Sequence, residues 1–218
     1  MIEVLKYIFA LITLGFLPIY VILKGINNIR KSYFKEIKNK EVEEIRKIAN
    51  AESYKIYETN LPFLKYNALS LLKIILVSKE FVEKGGAYLK GAILHEIGHT
   101  KKKHHIISIL YFTPILYLFY ANINLLIKAI IIIPAIIIFI RIGQKFQKQA
   151  DEYAFNLIGK DAIKPLEFLY ENKCRSMRGY ILNFILYLKF SPDKDLEDRI
   201  SSLNSLLNKE SKKGSDKE

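Results

Sequence analysis

A single cysteine, Cys174, stands in the 218-residue chain. One thiol excludes intrachain disulfide stapling and any Cys-x-x-Cys metal or redox site, and it suits the role of a small buried hydrophobe. Acidic residues are outnumbered, with 22 Asp and Glu against 34 Lys and Arg and a net charge of +12. Such an excess suits either nucleic acid or an anionic membrane surface. No segment combines aromatic and basic residues in the manner of RNA- or DNA-binding motifs, so no nucleic-acid partner is expected. The charge reads instead as a Lys-rich solvated face beside lipid headgroups. A basic membrane-surface binding module has this charge alone to recommend it.

Also missing is a small-residue cleavage site after the first apolar block. Residues 4–23, VLKYIFALITLGFLPIYVIL, are apolar apart from Lys6 and long enough to span a bilayer. The block passes through Leu23-Lys24-Gly25 into a basic stretch, the pattern of a retained anchor over residues 1–24 rather than a cleaved signal peptide.

Half of the residues are hydrophobic, and they come in blocks separated by charged segments. Residues 26–60 are charged, with Ile37, Val42, Ile45 and Ile48 loosely at helical spacing. The segment LLKIILVS, ending at Ser78, is β-rich and short, which predicts one or two strands between Asn67 and Ser78. Gly85-Gly86 breaks the chain, and a helix is expected through Ala92 to His105. Two apolar runs follow, Ile106–Tyr120 and Leu125–Ile142, separated by an uncharged loop, 121–124, of helical-hairpin length. Pro114 and Pro134 lie within them, which membrane helices tolerate better than soluble ones. Beyond them, helices are expected over about 143–158 and 162–172. Residues 180–190 form a short apolar stretch suited to a core, and 208–218 a solvated, disordered tail. Lys and Arg cluster in residues 24–47, at Lys101–Lys103 and at Arg141, Lys145 and Lys148. The positive-inside rule then puts both soluble blocks in the cytoplasm and the N-terminus outside, with three spans.

The residues that carry chemistry are His95-Glu96-Ile97-Gly98-His99, an H-E-x-x-H pattern. On a helix, positions i and i+4 are about 40° apart, so both imidazoles can grip one Zn²⁺ from one face. Glu96 projects about 100° from His95, placed to take a proton from a water that zinc activates and pass it to the leaving amine. A catalytic zinc needs a third protein ligand. His105 has the metzincin spacing, but Lys102 stands where that pattern needs a Gly turn. Both His104 and His105 therefore read as structural, with His105 on a continuing helix as an exposed or interfacial side chain. Gln147 and Asp151, at i and i+4 on the helix after the hairpin, share one face, while Glu152 points elsewhere.

These features resemble the membrane-bound zinc peptidases that include the heat-shock membrane protease and the CAAX prenyl protease. The resemblance covers most of residues 60–205. Asn67-Ala68 and the strand ending at Val77-Ser78 are similar to the segment before their catalytic helix. LHEIGHTKKKHH, from Leu94 to His105, is similar to that helix, and the adjoining hairpin to the heat-shock member's. Gln147 to Ala154 resembles their E-x-x-A-D-x-x-A-type helix, and Ser191-Pro192 with Arg199-Ile200 and Leu203 their His-Pro…Arg-Ile-x-x-Leu ending. Two positions depart from the pattern: Gln147 replaces the glutamate that is the family's third zinc ligand, and Ser191 replaces the His of the His-Pro pair.

The resulting expectation is a mainly α protein with a small β-sheet. By resemblance this is a zincin-type α+β catalytic domain with about three transmembrane helices. Its parts would be the anchor (1–24), two halves of the catalytic domain (25–105 and 143–207) around the hairpin (106–142), and the tail. One Zn²⁺ per chain would be held by His95, His99 and either Gln147 or Asp151, with Glu96 catalytic. The function expected is a multi-pass membrane endopeptidase with a cytoplasmic site, cutting membrane or misfolded proteins. Its substrate would lie extended against the strand before the catalytic helix. The alternative is a degenerate membrane adaptor that keeps the fold without hydrolysis, a reading Gln147 favours and Glu96 opposes.

Overall fold

The computed structural model describes residues 34–61, 64–172 and 192–215. The expected anchor, Cys174, the 180–190 stretch and Ser191 lie outside them. The described part is mostly helical, with one small mixed sheet.

The charged segment expected to be loosely helical divides into three elements: β1 (Phe34–Glu36), α1 (Lys40–Ile48) and β2 (Lys55–Thr59). Asn39 caps α1 by accepting the Val42 N–H at 2.9 Å. Glu41 and Glu43 in the first turn and Arg46 and Lys47 in the last complement the helix dipole. Val42 and Ile45 are buried on its inner face, and Ile37 is buried just before the helix, whereas Ile48 is exposed. β3 (Ala68–Leu71) and β4 (Ile74–Ser78) form a hairpin where strands were expected. The sheet order is β1-β2-β4-β3, with β2 and β4 parallel and the outer pairs antiparallel, so among the described residues β3 is an edge strand. One face, through Ile56, Ile75 and Val77, joins the main core. The other carries the smaller cluster of Tyr57, Leu64 and Leu76.

After α2 (Lys79–Lys84) comes α3 (Gly86–Lys101), the central helix. Leu89, Ile93, Leu94 and Ile97 are fully buried in it. The chain does not continue helically to His105. It turns at Lys102-Lys103, where Lys103 adopts a left-handed φ of 57°, and α4 (His104–Tyr120) starts in a new direction. Backbone bonds from Lys102 to Gly98 and from Lys103 to Thr100 close the end of α3. The turn separates a helix buried by protein from one that exposes apolar side chains.

α5 (Leu125–Ile158) is one helix of 34 residues where two had been expected. Gly143 at the expected join interrupts nothing, since a helical glycine costs only about 1 kcal/mol. A 3₁₀ turn (Gly159–Ile163), α6 (Lys164–Asn172) and α7 (Pro192–Ser215) follow. α7 thus runs through most of the residues expected to form a tail. Ala154 and Phe155 of α5, Leu166 and Phe168 of α6 and Leu203 of α7 complete the core around α3.

α4 and the first half of α5 form an antiparallel hairpin, with Phe112 packed on Phe139 and His104 on Phe146. Its outer surface is apolar: Leu110, Phe112, Leu126, Ile130, Ile133 and Ile138 are all exposed. Among the described residues, one helical stretch, beginning at Leu125, is long and apolar enough to cross a membrane, and none of its most apolar window is buried. At 17 residues α4 spans about 25 Å, short of the ~30 Å of bilayer hydrocarbon.

Candidate metal centre

α3 presents His95 and His99 from consecutive turns, with their Nε2 atoms 3.0 Å apart. What brings α5 against them is Gly98. A Cβ at that position would sit 3.1 Å from Tyr153 Cβ and 3.2 Å from the Cα and carbonyl oxygen of Ala150. With α5 this close, Gln147 Oε1 lies 3.1 Å from His95 Nε2.

Asp151, one turn further along α5, lies behind His95. Its Oδ1 is 2.7 Å from His95 Nδ1, on the opposite side of the ring from Nε2. Arg199 of α7 grips the same carboxylate twice, Nε to Oδ2 at 2.6 Å and Nη2 to Oδ1 at 2.9 Å. Burial alone would raise the Asp151 pKa, but the Arg199 guanidinium and His95 together hold the carboxyl well below the usual range. Arg199 is buried too, and Asp151, with Asp195 and Glu96, outweighs that desolvation and keeps the guanidinium charged. Of the two residues expected as alternatives for a third ligand, Gln147 faces His95 Nε2 and Asp151 holds the other side of the same ring.

His99 is held from behind by another histidine. His104 Nδ1 is 3.0 Å from His99 Nδ1, and His104 Nε2 is 3.0 Å from Gln149 Oε1. The His104 ring stacks on Phe146 at 4.2 Å with an interplanar angle of 8°. Burial, then the neighbouring His95, His104, His105 and Arg199, pull the His99 pKa down to about 2, so its imidazole is neutral at physiological pH.

Glu96 is fixed by the sheet. Ser70, buried on edge strand β3, donates its hydroxyl to Glu96 Oε2 at 2.6 Å and lies 3.0 Å from His105 Nε2. A hydroxyl has one proton to give, so His105 is the donor to Ser70. His105 is therefore not the exposed residue of a continuing helix, because the Lys102-Lys103 turn folds it back to the site. Burial lowers its pKa, and Glu96 partly offsets the shift.

Ser70, Gln149 and the role of Arg199 escaped the reading of the sequence. Ser70 left one signal, a polar residue inside an apolar hairpin. Arg199 left another: it shares a helical stripe with Leu196, Ile200 and Leu203, which all pack on the core.

Among the described residues, no three His, Cys, Asp or Glu side chains form a group that could hold a metal ion. The convergent donors are two imidazole nitrogens and an amide oxygen. His99 Nε2 and Gln147 Oε1 lie 3.0 and 3.1 Å from His95 Nε2, close to the ~3.3 Å between tetrahedral donors about 2.0–2.1 Å from one zinc. In donor type and in these two spacings the set is compatible with zinc, with a neutral amide weaker than the carboxylate such sites often use. Compared with known proteins, the chain matches no family model and no curated protein.

Proposed function

We propose that the protein is a membrane-bound zinc endopeptidase in which His95, His99 and Gln147 hold the metal and Glu96 is the general base. One observation carries this reading. Asp151 takes the His95 Nδ1 proton, which in the neutral ring leaves a lone pair on Nε2, and His99 Nε2 and Gln147 Oε1 converge on that atom at 3.0 and 3.1 Å. All three atoms can present lone pairs to one dication placed among them, as zinc ligation requires. Zinc held there would supply a Lewis acid, polarising the scissile carbonyl and acidifying the attacking water.

The remaining roles belong to the chain. Ser70 anchors Glu96 Oε2, which leaves Oε1 to accept a proton from water and return it to the leaving amine. Among the described residues strand β3 pairs with β4 on one side only, so an extended substrate peptide can add to its other edge beside Glu96. Asp151 and Arg199 keep His95 oriented while the substrate binds. The apolar hairpin sits in the bilayer, and Lys101–Lys103 with Arg141, Lys145 and Lys148 lie at its base beside the centre. That basic collar favours a multi-pass topology with the site facing the cytoplasm.

The amide at Gln147 favours a second reading, a degenerate adaptor that has kept the fold and lost hydrolysis. Glu96→Gln separates the two. The peptidase reading predicts that the variant binds zinc like the wild type and no longer digests casein. Equal digestion by both proteins removes Glu96 from the chemistry, and zinc binding without digestion by the wild type supports the adaptor.

A further inference from the structure

We propose that His104 is a positioning residue for His99, accepting its Nδ1 proton so that the His99 Nε2 lone pair is presented to the metal centre. The inference rests on the zinc reading above and concerns how the second imidazole is prepared for it. The chain of acceptors starts at Gln149, whose Oε1 takes a proton from His104 Nε2 at 3.0 Å. A neutral imidazole carries one ring proton, so His104 Nδ1 is an acceptor. It lies 3.0 Å from His99 Nδ1, which must then be the donor. The proton of His99 is thereby held away from the centre, and Nε2 is free to ligate.

Three features hold His104 in this role. The ring lies flat on Phe146, which opposes its rotation. Both Phe146 and Gln149 come from α5, the helix that also carries Gln147. The turn at Lys103 supplies the approach: five residues along an unbroken helix would put positions 99 and 104 about 140° apart. His104 is 3% exposed, so water does not compete for its nitrogens. Asp151 does the same for His95 with a charged oxygen, whereas His104 does it with a neutral nitrogen.

The test uses the full chain in detergent micelles, with zinc affinity read by competition against a chromophoric chelator. His104→Phe keeps a ring on Phe146 but cannot accept a proton, and should weaken zinc about 10–100-fold. His104→Asn restores an acceptor near the Nδ1 position and should recover most of that loss. Zinc affinity of His104→Phe equal to wild type overturns the proposal. Should the Phe variant fail to fold, ¹⁵N spectra of the imidazoles in metal-free wild type decide. A His99 proton on Nδ1 with a His104 proton on Nε2 supports the proposal, and a His99 proton on Nε2 overturns it. Wild-type protein that takes up no zinc counts against the metal reading alone, because the tautomers are still read without metal.

Discussion

Gln147 and Asp151 stand one helical turn apart on α5, and reach divides their roles. The longer side chain extends to His95 Nε2, while the shorter one stops at Nδ1 and is locked there by Arg199. Restoring charge at the first of these positions should help a dication. Gln147→Glu is expected to tighten zinc by tenfold or so, since a carboxylate neutralises charge that an amide does not. Asp151→Asn is expected to weaken zinc by about 10–100-fold, as loss of a ring-orienting partner does. Isothermal titration of both variants checks this, and unchanged affinity in both contradicts the assignment. His99 gives a pH dependence in metal-free protein. Its folded pKa, about 2, lies below the 6.5 of an unperturbed imidazole. The unfolded chain therefore takes the proton first. Stability from His99 is complete above about pH 6.5 and is lost as pH falls from there, by up to about 1.4 kcal/mol per pH unit. Urea midpoints at pH 8 and pH 5 measure the loss, and equal midpoints contradict it.

At the scale of elements, the close approach of α5 to α3 makes the centre. A methyl group at Gly98 meets backbone atoms of Ala150, which cannot swing aside as a side chain would. Gly98→Ala gains helix propensity but overpacks this contact, and a net loss of about 1 kcal/mol is expected. Displacing α5 also moves Gln147, so zinc affinity should fall by more than the change in melting temperature implies. Wild-type zinc affinity in this variant would show that the contact does not set the site. Elements with a strong local signal were legible in the sequence: strand structure between Asn67 and Ser78, the H-E-x-x-H helix and the two apolar runs. β2 was not, because KIYET is a central strand buried on both faces, with Ile56 and Tyr57 facing different clusters. The break after Lys101 was hidden as well, since no Gly or Pro marks it and Lys103 takes the left-handed conformation itself. That one turn kept His104 and His105 from being read as part of the site. Ser70 and Gln149 reach it through tertiary contacts alone, which local periodicity does not record.

For the whole molecule, the exposed apolar hairpin and the buried polar centre meet on one helix. Most of Leu125 to Ile142 of α5 exposes apolar side chains, and Gln147 lies about 7.5 Å further along the same axis. The site would therefore stand at the depth of the lipid headgroups. In a Cys174→Ser background, single cysteines in the 121–124 loop should react with an impermeant maleimide only from outside the cell. Labelling from the cytoplasmic face would mean that the hairpin does not cross. The central claim is tested most directly by the zinc content of the purified full chain after equilibration with zinc and removal of excess. One zinc per wild-type chain, lost in His95→Ala and in His99→Ala, is the predicted result. A wild type carrying no more zinc than those variants would contradict the account.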